Sequence, residues 1–221
     1  MKITKTITLL LIIFSSSKSF SQEINWRTLN TDSKHFVSAN FGADYSSYYG
    51  LSYGYNLKNR LTPIVIGTEF NLSFGKDVFD DWKSRTSIQA ELWQSGNLSW
   101  GLKGGFIMRH FESDIARLYN IGADMTTNFG YSTSKWGIVA TVNYDRAIST
   151  HIKNDLLKEF YPQIHDGWYG SSGGNFKFGI RANRSFETWN TFVTIGKSFG
   201  QDFQDNPTLP FFLELSIQKQ F

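Results

Sequence analysis

Residues 210–221 read Pro-Phe-Phe-Leu-Glu-Leu-Ser-Ile-Gln-Lys-Gln-Phe, and this closing stretch decides the fold. Its apolar and polar side chains alternate. One face holds Phe211, Leu213, Leu215, Ile217 and Phe221, and the other holds Glu214, Ser216, Gln218 and Gln220. Alternation with a period of two predicts a β-strand with one apolar side and one polar side. The length suits a tilted strand that crosses a bilayer, which takes about 9–11 residues.

The same alternation recurs along the chain and predicts ten strands. They cover residues 37–45, 49–57, 64–74, 88–92, 100–109, 119–128, 136–145, 176–183, 189–198 and 210–221. The face that each residue of 189–198 presents is left open. Short connections follow strands 2, 4, 6 and 8, and mostly longer ones follow strands 3, 5, 7 and 9. This arrangement is typical of an antiparallel up-and-down transmembrane barrel with both termini at one end. Eight strands are the alternative, if residues 35–57 form a single irregular strand.

The N-terminus has the pattern of a secretory signal peptide. Lys2 and Lys5 precede the apolar run Ile7–Phe14, which is too short to span a membrane as a helix. Ser19 and Ser21 supply small residues before a cleavage site. We predict a signal peptide over 1–21, a polar leader over 22–33 and a barrel over 34–221, with export to the cell outer membrane. A membrane anchor is the alternative reading of the apolar run.

Composition excludes several classes of function. Residues 1–21 contain three lysines and no acid, which leaves 19 basic against 19 acidic residues in the remainder. The mature chain is therefore neutral, and its charge gives no reason to expect a nucleic-acid partner. Because the sequence contains no cysteine, we expect neither a disulfide framework nor a lipid anchor attached through cysteine.

The polar faces of the predicted strands carry charges of both signs. These residues are Asp44, Glu69, Glu91, Lys103, Arg109, Asp124, Asp145, Lys177, Arg181 and Glu214. Charges in mid-strand are costly in an apolar core, but they can pair across the lumen of a narrow barrel. We therefore predict a charge network inside the barrel. A lipocalin-like soluble barrel, with its apolar face inward, is the structural alternative.

Aromatic residues make up 17% of the chain, and several follow the predicted short turns. Trp100, Trp136 and Trp189 each begin a strand, and Phe221 ends the last one. Amphipathic aromatic side chains form girdles at the membrane interfaces of such barrels. We predict that these four residues lie at one interface. Core tryptophans of a soluble sandwich are the alternative.

In these features the chain resembles the small outer-membrane β-barrel proteins of Gram-negative bacteria, especially those of Bacteroidota type. The resemblance covers the signal peptide, the alternating strands and the closing segment Ile217-Gln-Lys-Gln-Phe221. In that group the terminal aromatic and the apolar residues before it resemble the signal that the barrel-assembly machinery reads. The resemblance thus implies two partners, outer-membrane lipid and that machinery. Lys219 departs from the usual apolar residue at its position.

No motif for a phosphate, a dinucleotide or zinc is present, so no cofactor, metal or catalytic residue is predicted. The longest predicted outer loop, at about 148–175, contains Trp168 and Tyr169 between glycines, and these two could bind a sugar, a lipid or a protein. We expect a structural, surface-binding or envelope-maintenance barrel with a largely plugged lumen and an unknown ligand. One alternative is a narrow pore for ions or small solutes. Another is an outer-membrane enzyme, a protease or a lipid-modifying enzyme, that uses loop residues such as His110 and Asp114.

Overall fold

A computed structural model describes residues 24–29, 34–44, 46–57, 62–75, 77–154, 156, 158, 165–171, 173–200 and 210–221. After a 3-10 turn (Trp26–Thr28), the strands are β1 (His35–Ala43), β2 (Ser47–Leu57), β3 (Ile64–Ser73), β4 (Asp81–Ser95), β5 (Leu98–Glu112), β6 (Ala116–Ser132), β7 (Trp136–Asn154), β8 (Gly167–Tyr169), β9 (Gly173–Phe186), β10 (Trp189–Gly200) and β11 (Phe211–Gln220). The predicted signal peptide, residues 1–21, lies outside the described residues. Among the described residues, no helical turn has the length and apolar character of a membrane-spanning helix.

Ten of these strands form a closed antiparallel barrel. Their order is β6-β5-β4-β3-β2-β1-β11-β10-β9-β7, and a β6–β7 pairing closes the ring. The short β8 pairs only with the end of β7 and lies outside the ring. The first and last strands of the chain pair along most of their length, from Phe36 with Gln220 to Ala43 with Leu213. Closure leaves the ten ring strands without an open sheet edge.

The prediction of ten strands rather than eight is confirmed. β1 and β2 are separate strands, and between them the Asp44 amide donates a hydrogen bond to the Ser46 carbonyl over 3.1 Å. The strands β2, β4, β6 and β9 end at one end of the barrel, where Phe221 also lies, and we call this the short-turn end. The strands β1, β3, β5, β7 and β10 end at the opposite end, which we call the loop end.

The barrel is apolar outside and polar inside. Along β4, Lys83, Ser87 and Gln89 are buried in the lumen, whereas Ile88 in mid-strand is 57% exposed on the outer surface. The same inversion holds in β11, where Ser216 and Gln218 are buried and the apolar face predicted from the sequence is exposed. This arrangement contradicts the lipocalin-like alternative. Lipid, not a second sheet, is the environment that such an outer surface requires.

A row of aromatic rings crosses five neighbouring strand ends on the outer surface near the loop end. Cross-strand pairing places Trp82, His110, Tyr119, His151 and Trp168 side by side. Four pairs of rings in the row have centroids between 5.2 and 6.5 Å apart. We call this row the aromatic belt, and it lies at the opposite end of the outer surface from the tryptophans of the short-turn end.

Two of the predicted boundaries are wrong. The sequence predicts a polar loop over 75–84, but β4 already begins at Asp81. The loop at about 148–175 is shorter than predicted, because β7 continues to Asn154 and β9 begins at Gly173. In both places polar or charged residues continue the alternation inside the lumen, and in sequence they look like loop residues.

The sequence left open which residues of 189–198 face the lumen. The structure answers this through the close contact of the Phe212 ring with two glycines of β9 and β10. Phe212 points into the lumen over Gly179 and Gly196, which pair with one another. A Cβ on Gly196 would stand 2.2 Å from the Phe178 carbonyl oxygen and 2.5 Å from the Phe212 ring. Glycine at this position lets the ring lie against the wall, so the even-numbered residues of β10 face the lumen.

Candidate functional site

All ten charges predicted for the polar faces lie at the lumen, and most form ion pairs. At the loop end, Asp44 accepts from Lys177 over 2.5 Å and lies 3.7 Å from Lys83. Asp145 lies 3.2 Å from Arg109 and 3.8 Å from Lys177. Asp44 directly follows β1, and the other four side chains come from β4, β5, β7 and β9. They therefore tie opposite parts of the wall together across the lumen.

A second layer lies next to the first. Arg85 bridges two carboxylates, at 3.0 Å from Glu69 and 3.2 Å from Asp124. Tyr48 donates a 2.5 Å hydrogen bond from its hydroxyl to Glu214, which links β2 to the closing strand. The remaining predicted charges, Glu91, Lys103 and Arg181, are also buried inside the barrel.

Sequence reasoning missed two cations of this network, Lys83 and Arg85. The outward residues beside them are Trp82, Ser84 and Thr86, and the two hydroxyl residues weaken the apolar half of the alternation. Both lysine and arginine point inward in register with residues of the network: Lys83 pairs with Arg109, and Arg85 with Glu69. The signal that the sequence did offer was Trp82, an outward aromatic residue at the start of this weak alternation.

The network surrounds a cavity of about 90 Å³, which is room for several water molecules. Its charged lining comprises five basic side chains, Lys83, Arg85, Lys103, Lys177 and Arg181, and three acidic ones, Asp44, Glu69 and Glu214. Threonine hydroxyls from β6, β7 and β10 complete the polar wall. The lumen at this level is narrow, hydrophilic and slightly richer in positive charge.

A chain segment occupies the lumen at the short-turn end, which the sequence did not indicate. Residues 24–29, which we call the plug segment, belong to the predicted polar leader, but they fold back inside the barrel. Ile24 packs with Phe36 of β1 and Val65 of β3, both fully buried, and Trp26 and Leu29 pack against this cluster. Three apolar residues within a polar leader were the sequence signal for this packing.

Polar contacts fix the plug segment to the rest of the ring. Arg27 forms a 3.0 Å ion pair with Glu91 of β4. Asn25 donates to the Thr133 carbonyl at the β6–β7 turn over 2.9 Å and lies 3.4 Å from the Ser185 hydroxyl of β9. On β11, Gln220 donates to Thr28 over 3.2 Å.

The plug segment thus spans the cross-section of the lumen. The indole nitrogen of Trp26 stands 3.4 Å from the place where a Cβ on Gly101 of β5 would lie. Contacts reach β1, β3, β4, β5, β9, β11 and the β6–β7 turn, which together surround most of the ring. The segment therefore crosses the lumen at the short-turn end.

The four predicted interface aromatics lie on the outer surface at the short-turn end, on different strands. Trp100, Trp136, Trp189 and Phe221 are each about half exposed. Trp100 donates to the Thr127 hydroxyl over 2.7 Å, and Lys219 lies over the Trp189 ring at 5.1 Å. Their role as membrane anchors remains a prediction, and their position agrees with it.

The predicted loop-binding residues lie at the loop end, beside the belt rather than over the mouth. Trp168 packs against His151 at 5.2 Å and Tyr119 at 6.5 Å, both on the outer surface. Tyr169 donates from its hydroxyl to the His165 carbonyl over 2.7 Å. Trp168 therefore extends the aromatic belt, and binding through this pair remains a prediction.

In the same loop, Asp166 holds the chain together locally. Lys158 donates a hydrogen bond to its carboxylate, and the Asn154 amide donates to it over 2.8 Å. The hydrogen bond from Lys158 is the main reason that the pKa of Asp166 is lowered below its ordinary value. The carboxylate accordingly stays ionised and connects the end of β7 to β8.

The histidines considered for catalysis do not converge on a site. His110 and His151 are members of the outer aromatic belt and point away from the lumen. His110 approaches Glu112 at 3.8 Å, and Arg117 lies 3.5 Å from the same residue. Within the described part of the chain, no group of three or more histidine, aspartate or glutamate side chains could hold a metal ion.

A closed ring of hydrogen-bonded strands, an apolar outer surface and a charged interior define the class of this protein. It is a ten-stranded transmembrane β-barrel.

Solved structures to which the chain is similar include two of a porin. For the structure described as "KdgM porin" the TM-score is 0.45 at 9% identity, over 84% of this chain and 99% of that chain. For "KdgM porin in complex with disordered oligogalacturonate" the TM-score is 0.43 at 9% identity, with the same coverage. No family model matches the chain, and no curated protein matches it. The resemblance to Bacteroidota-type barrels finds no support in these comparisons. Function therefore has to be argued from the lumen itself.

Proposed function

We propose that the protein is a narrow channel of the outer membrane for ions and small solutes, closed at one end by residues 24–29. This is the pore alternative of the sequence analysis, and we prefer it to a permanently plugged structural barrel. The observation that carries the proposal is the plug segment itself. The wall leaves a space at the short-turn end that is wide enough for a peptide segment with a tryptophan side chain.

The way in which the lumen is filled differs between the two ends. Near the loop end, side chains of the wall fill it through ion pairs between rigid strands. At the short-turn end, a separate piece of chain fills it, held by one ion pair, a few hydrogen bonds and a small apolar cluster. Departure of that piece would break no strand pairing. It would leave a path lined by polar side chains such as Glu91, Ser99 and Ser185.

The charged layer above the plug sets the size limit of the proposed channel. Ten-stranded barrels have an interior that side chains nearly fill. A cavity of about 90 Å³ within the network admits water and small ions but not bulk solutes. We therefore expect a low conductance even after the plug segment leaves.

Location and biogenesis belong to the same proposal. The exposed apolar surface and the two aromatic belts support insertion into lipid, and export by the predicted signal peptide would deliver the chain to the outer membrane. In that orientation the short-turn end, with the plug segment, faces the periplasm. The closing strand ends on Phe221 at this end, where the barrel-assembly machinery would read it.

Planar-bilayer recording tests the proposal. We compare the full mature chain with a variant that lacks residues 24–29, after checking both for barrel formation by circular dichroism and by slower migration of unfolded samples on a detergent gel. The full chain should be mostly silent, and the deletion variant should conduct steadily in small steps. A folded deletion variant that does not conduct would contradict the channel and favour the structural barrel.

A further inference from the structure

Lys103 is a buried cation that the ion-pair network does not use. It lies on β5 facing the cavity, with a side chain only 5% exposed. Its cross-strand neighbours, Gln89 on β4 and Thr126 on β6, are both uncharged. Lys103 forms no hydrogen bond or ion pair with any described residue. The side chain carries a charge among neutral neighbours and borders the cavity, so a compensating group is best supplied from the cavity.

The carboxylates nearest to Lys103 in register are already engaged by arginines. Glu91 lies two residue pairs from Lys103 towards the short-turn end and binds Arg27 at 3.0 Å. Asp124 lies two residue pairs from Lys103 towards the loop end and binds Arg85 at 3.2 Å. Lys103 thus lies between two carboxylates that are each bound to an arginine, and it forms an ion pair with neither of them.

The hydrogen-bond donors beside Lys103 indicate whether the compensating group carries positive or negative charge. Thr126, its neighbour in register, accepts from Asn143 over 2.8 Å, which leaves its hydroxyl hydrogen available to another acceptor. Across the cavity, the buried Thr194 hydroxyl has no hydrogen-bond partner among the described residues. An ammonium group and two hydroxyl donors around one small cavity fit an acceptor that carries negative charge.

We propose that Lys103 and Thr126 form a binding site for a small inorganic anion, of which chloride is the physiological example. A halide ion is close to a water molecule in size, and the cavity of about 90 Å³ has room for it. The excess of basic over acidic side chains in the cavity lining favours the same sign of charge. Anion binding does not require conduction, so the site can be tested independently of the proposed channel.

The competing partner for Lys103 is Asp124. Its Oδ2 atom accepts from Asn143 over 3.1 Å, whereas its Oδ1 atom is buried without a hydrogen bond among the described residues. A rotation of the lysine side chain towards Oδ1 would satisfy the ammonium group without an anion. The experiment has to distinguish these two arrangements.

Crystals of the full mature chain grown in sodium bromide provide the test, because bromide is located directly by its anomalous scattering. We expect a peak within hydrogen-bonding distance of Lys103 Nζ and Thr126 Oγ1. The peak should disappear in Lys103→Met, whereas Lys219→Met, on the outer surface, should retain it. Absence of the peak together with a Lys103–Asp124 contact would overturn the site.

A measurement in solution guards against binding that occurs only at crystal concentrations. Chloride titrated against gluconate at constant ionic strength should raise the Tm of the detergent-solubilised protein in a saturable way. Lys103→Gln, which keeps a donor but removes the charge, should lose this rise and keep the fold. An equal chloride effect in Lys103→Gln would also contradict the proposal.

Discussion

Replacement of Glu91 by glutamine tests the ion pair that holds the plug segment. The Arg27–Glu91 distance is 3.0 Å, and the side chains are 15% and 4% exposed. Glutamine keeps the shape and one acceptor oxygen and removes only the negative charge, so the Arg27 guanidinium still donates a hydrogen bond to it. The loss is therefore the attraction between the two charges, which at this partly exposed site is about 1–2 kcal/mol.

The lost free energy shifts the equilibrium between closed and open channels. Because 1.4 kcal/mol corresponds to a factor of ten, the ratio of open to closed channels should rise roughly 5- to 30-fold in Glu91→Gln. The assay is the open probability of single channels in planar bilayers at fixed salt. Glu112→Gln is the matched control, since Glu112 pairs with Arg117 at 3.5 Å on the loop side of the barrel and does not contact the plug segment. An unchanged open probability in folded Glu91→Gln, or an equal rise in Glu112→Gln, would refute the reasoning.

Three further substitutions test the packing and the orientation of the barrel. Ile88→Lys places a charge in mid-strand on the outer surface and should cost about 2–4 kcal/mol of unfolding free energy, measured in lipid vesicles; no cost there would mean that the surface does not meet hydrocarbon. Phe36→Ala removes a fully buried ring beside Ile24 and should cost about 3–5 kcal/mol in urea unfolding from micelles, provided that the plug segment is in place. Gly196→Ala must displace the Phe178 carbonyl and the Phe212 ring and should cost about 1–3 kcal/mol or more of unfolding free energy. Gly104→Ala is the control, because a Cβ there would meet no atom within 4 Å and should not destabilise the protein. Equal effects of the two substitutions on Tm would contradict the close approach of Phe212 to the wall.

The strand number and the inside-out arrangement followed from periodicity alone. In β11 the side chains alternate along the strand, and closure of the barrel placed Glu214 inside, where Tyr48 binds it. Alternation works here because lipid and lumen are opposite environments, so each residue suits one of them. The ten charged residues of the predicted network lie on the lumenal side for the same reason.

What the sequence did not reveal depends on contacts between distant segments. Residues 24–29 have no periodicity of their own, and their position follows from the space that the closed ring leaves beside Phe36 and Val65. Likewise, Lys83 and Arg85 could be recognised as lumenal only once β4 was paired with β3 and β5. Which cation meets which carboxylate is a property of the ring as a whole.

A reversible lock on the plug segment is the most direct test of the proposed channel. The chain contains no cysteine, and Asn25 and Ser185 lie 3.4 Å apart between their side-chain atoms, so Asn25→Cys with Ser185→Cys introduces a single pair. Single channels of the oxidised double variant are recorded first, and reductant is then added to the same bilayer. The proposed gating predicts silence before reduction and openings after it. Traces that are identical before and after verified reduction would contradict the claim that residues 24–29 close the channel.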